Sequence, residues 1–257
     1  MELVDVHCHL ESEEFAGRLD SVLDEARRAG VVRFITASIR PPQWEVSQAL
    51  ASRYPDVECA LGVHPWYAMP EDIEGVQGLY AAVEKGAAAI GEIGLDRKVD
   101  SPPWALQAAV CGAQLRIAKD VDLPVILHCR GAFNELIEML KHAGAPARGG
   151  ILHNFTGSVE IAEDLMRLGM AFSLGGILTY RNSAKRNKML RRIYPDHFLL
   201  ETDSPDIPPI EARGRPNVPA NILYNLRAAA EILEESEETV AAATTRNAGR
   251  IFGFASS

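Results

Sequence analysis

Eight short apolar segments recur along the chain, and a segment with helical periodicity follows each of them. The apolar segments are 3–6, 31–37, 57–63, 87–93, 124–128, 150–153, 170–174 and 198–201. The helical segments are 18–29, 43–53, 71–85, 104–119, 133–142, 158–168, 182–193, 219–234 and 237–252. This alternation predicts the α/β class, with a parallel sheet closed into a (β/α)₈ TIM barrel. An open doubly wound sheet is the alternative, but no Gly-x-Gly-x-x-Gly turn follows the first strand.

The length of the chain agrees with one barrel. It has 257 residues, of which 47% are hydrophobic, so it can bury a full core. Barrels of this kind contain about 250 residues. We therefore expect a single domain over residues 1–257. The sequence leaves the oligomeric state open, and a monomer is compatible with it.

The sequence predicts a cytoplasmic protein without a membrane segment. No apolar run approaches the ~20 residues that span a bilayer, and the amino terminus carries no basic, apolar signal peptide. Four cysteines are scattered without a Cys-x-x-Cys spacing. We expect them to be reduced, buried thiols.

Polar residues stand where the predicted strands end. In a (β/α)₈ barrel the carboxyl ends of the strands carry the chemistry. Five of the seven histidines fall there, together with one glutamate and one aspartate: His7, His9, His64, Glu92, His128, His153 and Asp203. His7 and His9 are two residues apart on one strand, so their side chains point to the same face.

Such a group of residues predicts a metal centre. Imidazoles mixed with carboxylates suit Zn²⁺, Mn²⁺, Fe²⁺, Co²⁺ or Ni²⁺, and Mg²⁺ less readily. Four of the histidines with the glutamate and the aspartate, leaving out His64, give six ligands, which exceed the three protein ligands of a typical single catalytic zinc ion. Two divalent ions that share a bridging carboxylate and a bridging water fit better. The alternative is a set of buried, hydrogen-bonded core histidines.

Five sequence blocks resemble the signature motifs of the TatD family of metal-dependent hydrolases and DNases, within the amidohydrolase superfamily. The blocks are VDVHCH at 4–9, GEIGLD at 91–96, LHCR at 127–130, HNFTGS at 153–158 and LETDSP at 200–205. The resemblance covers essentially the whole chain. It implies that His7, His9 and Asp203 hold one ion, that His128 and His153 hold the other, and that Glu92 bridges them. Asn154 is a departure, because the family more often has cysteine there.

The predicted mechanism uses a hydroxide that bridges the two metals as the nucleophile. Asp203 orients it and accepts its proton, while Glu92 holds the pair of ions. Asp5 and Glu201 are candidates for holding the imidazoles in the required tautomers. Each of these two carboxylates has an alternative role as an acceptor for backbone amides at a strand end.

Three residues are candidates for contacts with the phosphate or the leaving group: His64, Arg130 and Arg181. The planar fork of Arg130 suits a phosphate, and its alternative is a salt bridge to a neighbouring loop. Trp66 lies on the same loop as His64 and can either stack on a base or serve packing.

The charge distribution restricts nucleic-acid binding to a local patch. The net charge of −9 argues against broad, non-specific binding to phosphates. The basic run 181–192 follows the seventh strand, and its early members Arg181 and Lys185 lie on the mouth side of a barrel. A solvated helix face is the usual alternative for such a run.

Three functions remain open from the sequence. The first is a deoxyribonuclease that acts on DNA ends, cleaving single strands from 3′ to 5′, as the resemblance implies. The second keeps the metal site but hydrolyses a small phosphoester, lactone, ester or amide, because fold and metal set do not choose among these substrates. The third is a metal-binding protein without catalysis, and the complete ligand set including Asp203 counts against it.

Overall fold

The computed structural model describes residues 1–75, 77–180 and 183–254. Within these ranges, eight parallel strands form one sheet in the order β1 to β8. The strands are β1 Leu3–Cys8, β2 Val31–Ala37, β3 Val57–Leu61, β4 Ala89–Asp96, β5 Val125–Arg130, β6 Gly150–Leu152, β7 Met170–Leu174 and β8 Phe198–Leu200. Just beyond β8 the chain bonds to β1, since Asp203 N–H donates to the His7 carbonyl at 2.9 Å and His9 N–H donates to the Ser204 carbonyl at 2.8 Å. The predicted TIM barrel is confirmed.

Helices cover the outside of the barrel. They are α1 Leu19–Arg28, α2 Trp44–Arg53, α3 Asp72–Gly75, α4 Gln77–Glu84, α5 Trp104–Asp120, α6 Phe133–Ala143, α7 Val159–Arg167, α8 Ala184–Ile193, α9 Ile222–Leu233 and α10 Glu237–Phe252. The segment predicted as one helix over 71–85 contains α3 and α4, and Val76 between them lies outside the described residues. Helix α8 follows Ser183, whose hydroxyl accepts the Arg186 N–H at 3.2 Å and so caps the first turn.

Two apolar layers stabilise this arrangement. The inner layer fills the barrel and includes Val6, Ile126 and Leu199, each of which is fully buried. The outer layer lies between strands and helices and includes Leu127 and Leu200. Neighbouring residues of β5 and β8 thus belong to different layers, as expected for strands that are buried on both faces.

Strand β1 changes phase before it reaches the mouth. Val4 and Val6 belong to the inner layer, whereas Cys8 belongs to the outer layer. A strictly alternating strand would turn residue 8 inward. The register between β1 and β2 is irregular between Asp5 and Cys8. Strict alternation would turn both His7 and His9 outward, whereas this irregularity lets the chain place both of them at the mouth.

Helix α10 covers the amino-terminal end of the barrel. The Thr245 hydroxyl donates to the Glu2 carbonyl at 2.9 Å, and the Asn247 amide donates to the Phe198 carbonyl at 2.9 Å. Both acceptors stand where strands begin. The opposite end, where the strands finish, is therefore left for the functional residues.

None of the helices within the described ranges is both long and apolar enough to cross a lipid bilayer.

Candidate metal centre

Glu92 lies at the middle of the polar cluster, near the end of β4, and is 2% exposed. Its two carboxylate oxygens face two different groups of imidazoles. Oε2 lies 3.4 Å from His7 Nε2 and 3.8 Å from His9 Nε2. Oε1 lies close to three nitrogens: His153 Nε2 at 2.8 Å, His64 Nε2 at 3.2 Å and His128 Nδ1 at 3.3 Å. The buried Glu92 carboxylate thus lies between two groups of imidazole nitrogens.

Asp203 completes the side that contains His7 and His9. Its Oδ1 lies 3.3 Å from His7 Nε2 and 3.4 Å from His9 Nε2. The backbone of Asp203 has a φ of +56°, in the left-handed region that aspartate tolerates better than most residues. The backbone bond from Asp203 N–H to His7 fixes this turn against β1.

A glycine positions the strand that carries Glu92. Gly94 has a φ of +146°, and a Cβ on it would come within 1.9 Å of the His128 carbonyl oxygen. Only glycine permits so close an approach between β4 and β5. That approach places Glu92 and Asp96 on either side of His128.

Two imidazoles have a ring nitrogen fixed from outside the cluster. His9 Nδ1 lies 2.8 Å from the Ala37 carbonyl, which can only accept, so Nδ1 carries the hydrogen. His128 Nε2 lies 3.0 Å from Asp96 Oδ2, and the carboxylate accepts in the same way. In both rings the other nitrogen therefore offers its lone pair towards Glu92. Partners of this kind set the tautomer of metal-ligating histidines.

In His64 the ring hydrogen is on the nitrogen that faces the cluster. Its Nδ1 accepts the Trp66 backbone N–H at 3.1 Å, so the hydrogen of the neutral ring is on Nε2, which faces Glu92 Oε1. Burial lowers the pKa of His64, which keeps the ring neutral. His64 therefore presents a hydrogen-bond donor to the cluster, although its position beside Glu92 and His128 also satisfies the spacing of a metal ligand.

The electrostatics suit cations. Burial alone would raise the pKa of Glu92, but the imidazoles of His153, His64 and His7 outweigh it and hold that pKa well below the ordinary value. The pKa of Asp203 is lowered too, because the neighbouring imidazoles of His7, His9 and His153 outweigh the effect of burial. Both carboxylates are thus ionised at neutral pH.

Several buried atoms of the cluster lack partners. Both ring nitrogens of His7 and Nδ1 of His153 have no hydrogen-bond partner within the described part of the chain. Buried polar atoms normally have one. Three sets of donor atoms lie within 4.8 Å of one another: His7, His153 and Asp203; His7, His9 and Glu92; and His64, Glu92 and His128. The residues present therefore fit divalent metal ions.

The sequence prediction for Asp5 and Glu201 needs a correction. Asp5 accepts bonds from the backbone N–H groups of His7 (3.4 Å) and Thr202 (2.9 Å), and Glu201 accepts the Asn154 N–H at 2.8 Å. In the described ranges neither carboxylate bonds to an imidazole ring, and their partners are backbone amides and the hydroxyls of Thr202 and Ser173. Burial raises the pKa of Asp5 to about 7 and that of Glu201 to about 8. These two residues support the backbone beside the candidate ligands.

Asp96 holds His128 in place, a role that was not predicted. Its Oδ2 also accepts the Trp66 indole N–H at 2.7 Å, and its Oδ1 accepts the Lys98 N–H at 2.7 Å. The signal was present in the sequence, because Asp96 follows Glu92 by four residues at the same strand end. Glu11 was missed as well, and it lies 3.5 Å from His9 Nδ1.

The predicted substrate contacts lie at different depths. His64 belongs to the buried cluster, whereas the Arg130 side chain is 49% exposed at the rim and lies 3.5 Å from Asp96 Oδ2. Arg181 lies outside the described residues. Lys185, from the same basic run, reaches the Thr156 carbonyl at 3.4 Å, in the loop that follows β6 and His153.

A parallel α/β barrel with imidazoles and carboxylates gathered at the carboxyl ends of its strands defines the class of barrel hydrolases that use metal ions. The chain belongs to the family of TatD related DNases, whose family model matches residues 4–253.

Relatives cover almost the full length of the chain. A Bacillus subtilis (strain 168) protein named "Uncharacterized metal-dependent hydrolase YabD" is 36% identical over 97% of this chain and 98% of its own. An Escherichia coli (strain K12) protein named "Uncharacterized metal-dependent hydrolase YcfH" is 32% identical over 98% and 96%. The crystal structure of YjjV, a TatD homologue from Escherichia coli K12, superposes with a TM-score of 0.92 at 32% identity over 98% of each chain. The protein is accordingly a TatD-family metal-dependent hydrolase.

Proposed function

We propose that the protein is a deoxyribonuclease that hydrolyses phosphodiester bonds at DNA ends, from 3′ to 5′ on single strands, with two divalent ions on either side of Glu92. One observation carries the proposal: the two oxygens of Glu92 face separate sets of nitrogen donors. The family description as DNases supports the substrate class. The metal ligands in this proposal are His7, His9, Glu92, His128, His153 and Asp203.

A pair of divalent ions in such a site supplies an activated water and stabilises the attacking and leaving oxygens of a phosphodiester. The chain supplies the remaining functions. Asp203 is ionised and lies at the edge of the cluster, so it accepts the proton of the attacking water. His64 donates Nε2–H to a non-bridging phosphate oxygen, because a neutral ring with its hydrogen on that atom cannot act as an acceptor there.

Cations at the rim bind the rest of the substrate. Arg130 is half exposed beside Asp96, and Lys185 lies over the loop after β6. Arg181, outside the described residues, precedes Lys185 on the same run and remains a proposed phosphate contact. A few cations around one opening are enough to bind a strand end despite the net charge of −9.

The test is hydrolysis of an end-labelled single-stranded oligonucleotide by metal-free protein refilled with Mn²⁺, Mg²⁺ or Zn²⁺. Wild-type protein is expected to shorten the strand in a metal-dependent ladder, and Asp203→Asn is expected to abolish it. Asp206→Asn is the matched control, because Asp206 is exposed on the same loop. Loss of activity in Asp203→Asn alone supports the proposal. No cleavage by wild-type protein with any metal would reject it in favour of a small phosphoester, lactone, ester or amide.

A further inference from the structure

The segment that follows β3, as far as the first turn of α3, carries an unusual share of exposed apolar surface. Among the side chains that the structure describes, eight large hydrophobic residues are exposed, and four of them lie within 66–73. They include Trp66 at 43%, Tyr67 at 40% and Met69 at 51%. Single exposed apolar residues are ordinary, but a cluster beside a functional opening indicates a binding surface.

Trp66 is held in a fixed orientation at this opening. Its indole N–H donates to Asp96 Oδ2 at 2.7 Å. Its ring meets the His64 ring edge to face, with centroids 4.9 Å apart, and its centroid is 5.8 Å from that of His128. A tryptophan that served packing alone would not combine this anchoring with 43% exposure. The indole is a rigid surface adjacent to the cluster.

Basic groups stand beside the aromatic rings. The exposed Arg40 lies over the Tyr67 ring, 5.8 Å from its centroid. Arg130 lies 3.5 Å from the Asp96 carboxylate that accepts the Trp66 indole N–H. Aromatic side chains flanked by cations are the combination that binds single-stranded nucleic acid, with stacked bases and a neutralised backbone.

We propose that Trp66 stacks on the base of the nucleotide whose phosphate is bound at the proposed metal centre, beside His64 and His128. This inference rests on the proposed function. A base is joined to its phosphate through a single sugar, so adjacent subsites for phosphate and base are required, and Trp66 adjoins the cluster directly. Because every base has a π-face, the subsite recognises the presence of a base and tolerates changes of its identity.

The two parts of Trp66 have separable roles. The ring face binds the base, whereas the indole N–H positions Asp96 and, through it, His128. Trp66→Phe keeps an aromatic ring and removes the N–H, and Trp66→Leu removes both. Loss of the ring should therefore lower kcat/KM only for a substrate that has a base, whereas loss of the N–H should lower it with or without the base.

The experiment compares single-stranded oligonucleotides that have either a base or an abasic unit at the cleaved nucleotide. Wild-type protein is expected to prefer the base-containing strand in kcat/KM by roughly tenfold, from the usual strength of base stacking. Trp66→Leu is expected to lose that preference. Trp66→Phe is expected to keep most of it, while slowing on both strands by the same factor.

Fluorescence gives a second measurement that does not depend on turnover. Oligonucleotide is titrated into Asp203→Asn protein, with the same protein carrying Trp66→Phe as the control. Trp44 is buried and Trp104 lies under Arg97, so Trp66 is the tryptophan expected to respond. Quenching that disappears with Trp66→Phe supports the stacking role.

The outcomes separate the two proposals. The role of Trp66 would be overturned if wild-type protein cleaved both strands with equal kcat/KM and the Trp66 fluorescence were not quenched. Metal-dependent cleavage in the same experiment would still support the nuclease. No cleavage of either strand would reject the nuclease. The fluorescence titration would then test base stacking by Trp66 alone. Quenching of the Trp66 emission would support stacking, and unchanged emission would overturn it.

Discussion

At the scale of single residues, the hydrogen positions on the imidazoles distinguish ligands from donors. His9 and His128 each give a hydrogen away from the cluster, to Ala37 and Asp96, and keep a lone pair towards Glu92. His64 accepts a hydrogen from the Trp66 backbone and points its own N–H inward. The same residue type therefore has two chemical roles within one site.

Asp96→Asn tests the role assigned to Asp96. An amide can donate to His128 Nε2 and thereby move the ring hydrogen to Nδ1, which would remove the lone pair that faces Glu92. We expect metal affinity to fall by roughly 10- to 100-fold, as is usual for the partners of metal ligands. Isothermal titration of metal-free protein with Zn²⁺ measures it. Asp206→Asn is the control, and unchanged affinity in Asp96→Asn would contradict the role.

His64→Ala separates a donor from a metal ligand. If His64 donates to substrate, kcat should fall by roughly 10²-fold, the usual cost of removing one donor to developing negative charge. The metal content per chain should stay unchanged. Metal analysis of the same preparation that is used for kinetics checks both. A loss of bound metal in this variant would instead make His64 a ligand.

At the scale of secondary-structure elements, the sequence predicted the strands better than their ends. Apolar runs located all eight strands, because burial on both faces leaves little polar sequence in them. Strand β4 continues three residues beyond the predicted 93, to Asp96. Its last residues include a carboxylate and a glycine, which are not typical of a buried strand. Asp96 was missed for this reason.

The candidate site was predictable in part for the same reason. His7, His9, Glu92, His128, His153 and Asp203 follow strands, and the strand ends of a parallel barrel converge. The partners of Asp5 and Glu201 were not predictable, because they depend on which backbone amides approach across β1 and β8. The tautomer of His64 depends on a local turn, since Trp66 N–H reaches back over two residues. Metal binding by the six residues that follow the strands stays a prediction.

An ion pair between α1 and the start of β3 gives a test of stability against pH. Arg27 donates to both oxygens of Asp56, at 2.7 and 2.9 Å. Hydrogen bonds from Arg27 lower the pKa of Asp56, although burial opposes this. Because the pKa of Asp56 is lower in the folded state than in the unfolded state, the ion pair stabilises the fold at pH values above the unfolded-state pKa. This stabilisation is lost as the pH falls through the folded-state pKa.

Asp56→Asn should lower the free energy of unfolding by about 1 kcal/mol at pH 7. The difference from wild-type protein should shrink below about pH 4, where the unfolded carboxyl protonates. Urea unfolding at a series of pH values measures both. Asp24→Asn is the matched control, because Asp24 forms a more exposed pair with the same arginine and should cost less. A difference that stays constant down to pH 2 would contradict this account.

At the scale of the whole molecule, the acidic surface and the metal centre complement each other. A net charge of −9 disfavours indiscriminate binding along a duplex. The cations identified near the functional site surround one opening, at the end of the barrel that α10 leaves uncovered. This distribution supports the proposed action at a strand end rather than binding along a long segment.

The central claim is that Glu92 separates two metal sites, and metal content tests it most directly. Metal-free protein is refilled with Zn²⁺, desalted and measured by mass spectrometry, together with His128→Ala and His7→Ala. His142→Ala is the control, since His142 is exposed on α6. Wild-type protein and the control should hold about two ions per chain, and the other two variants about one. One ion per chain in wild-type protein, retained in His128→Ala, would contradict the account.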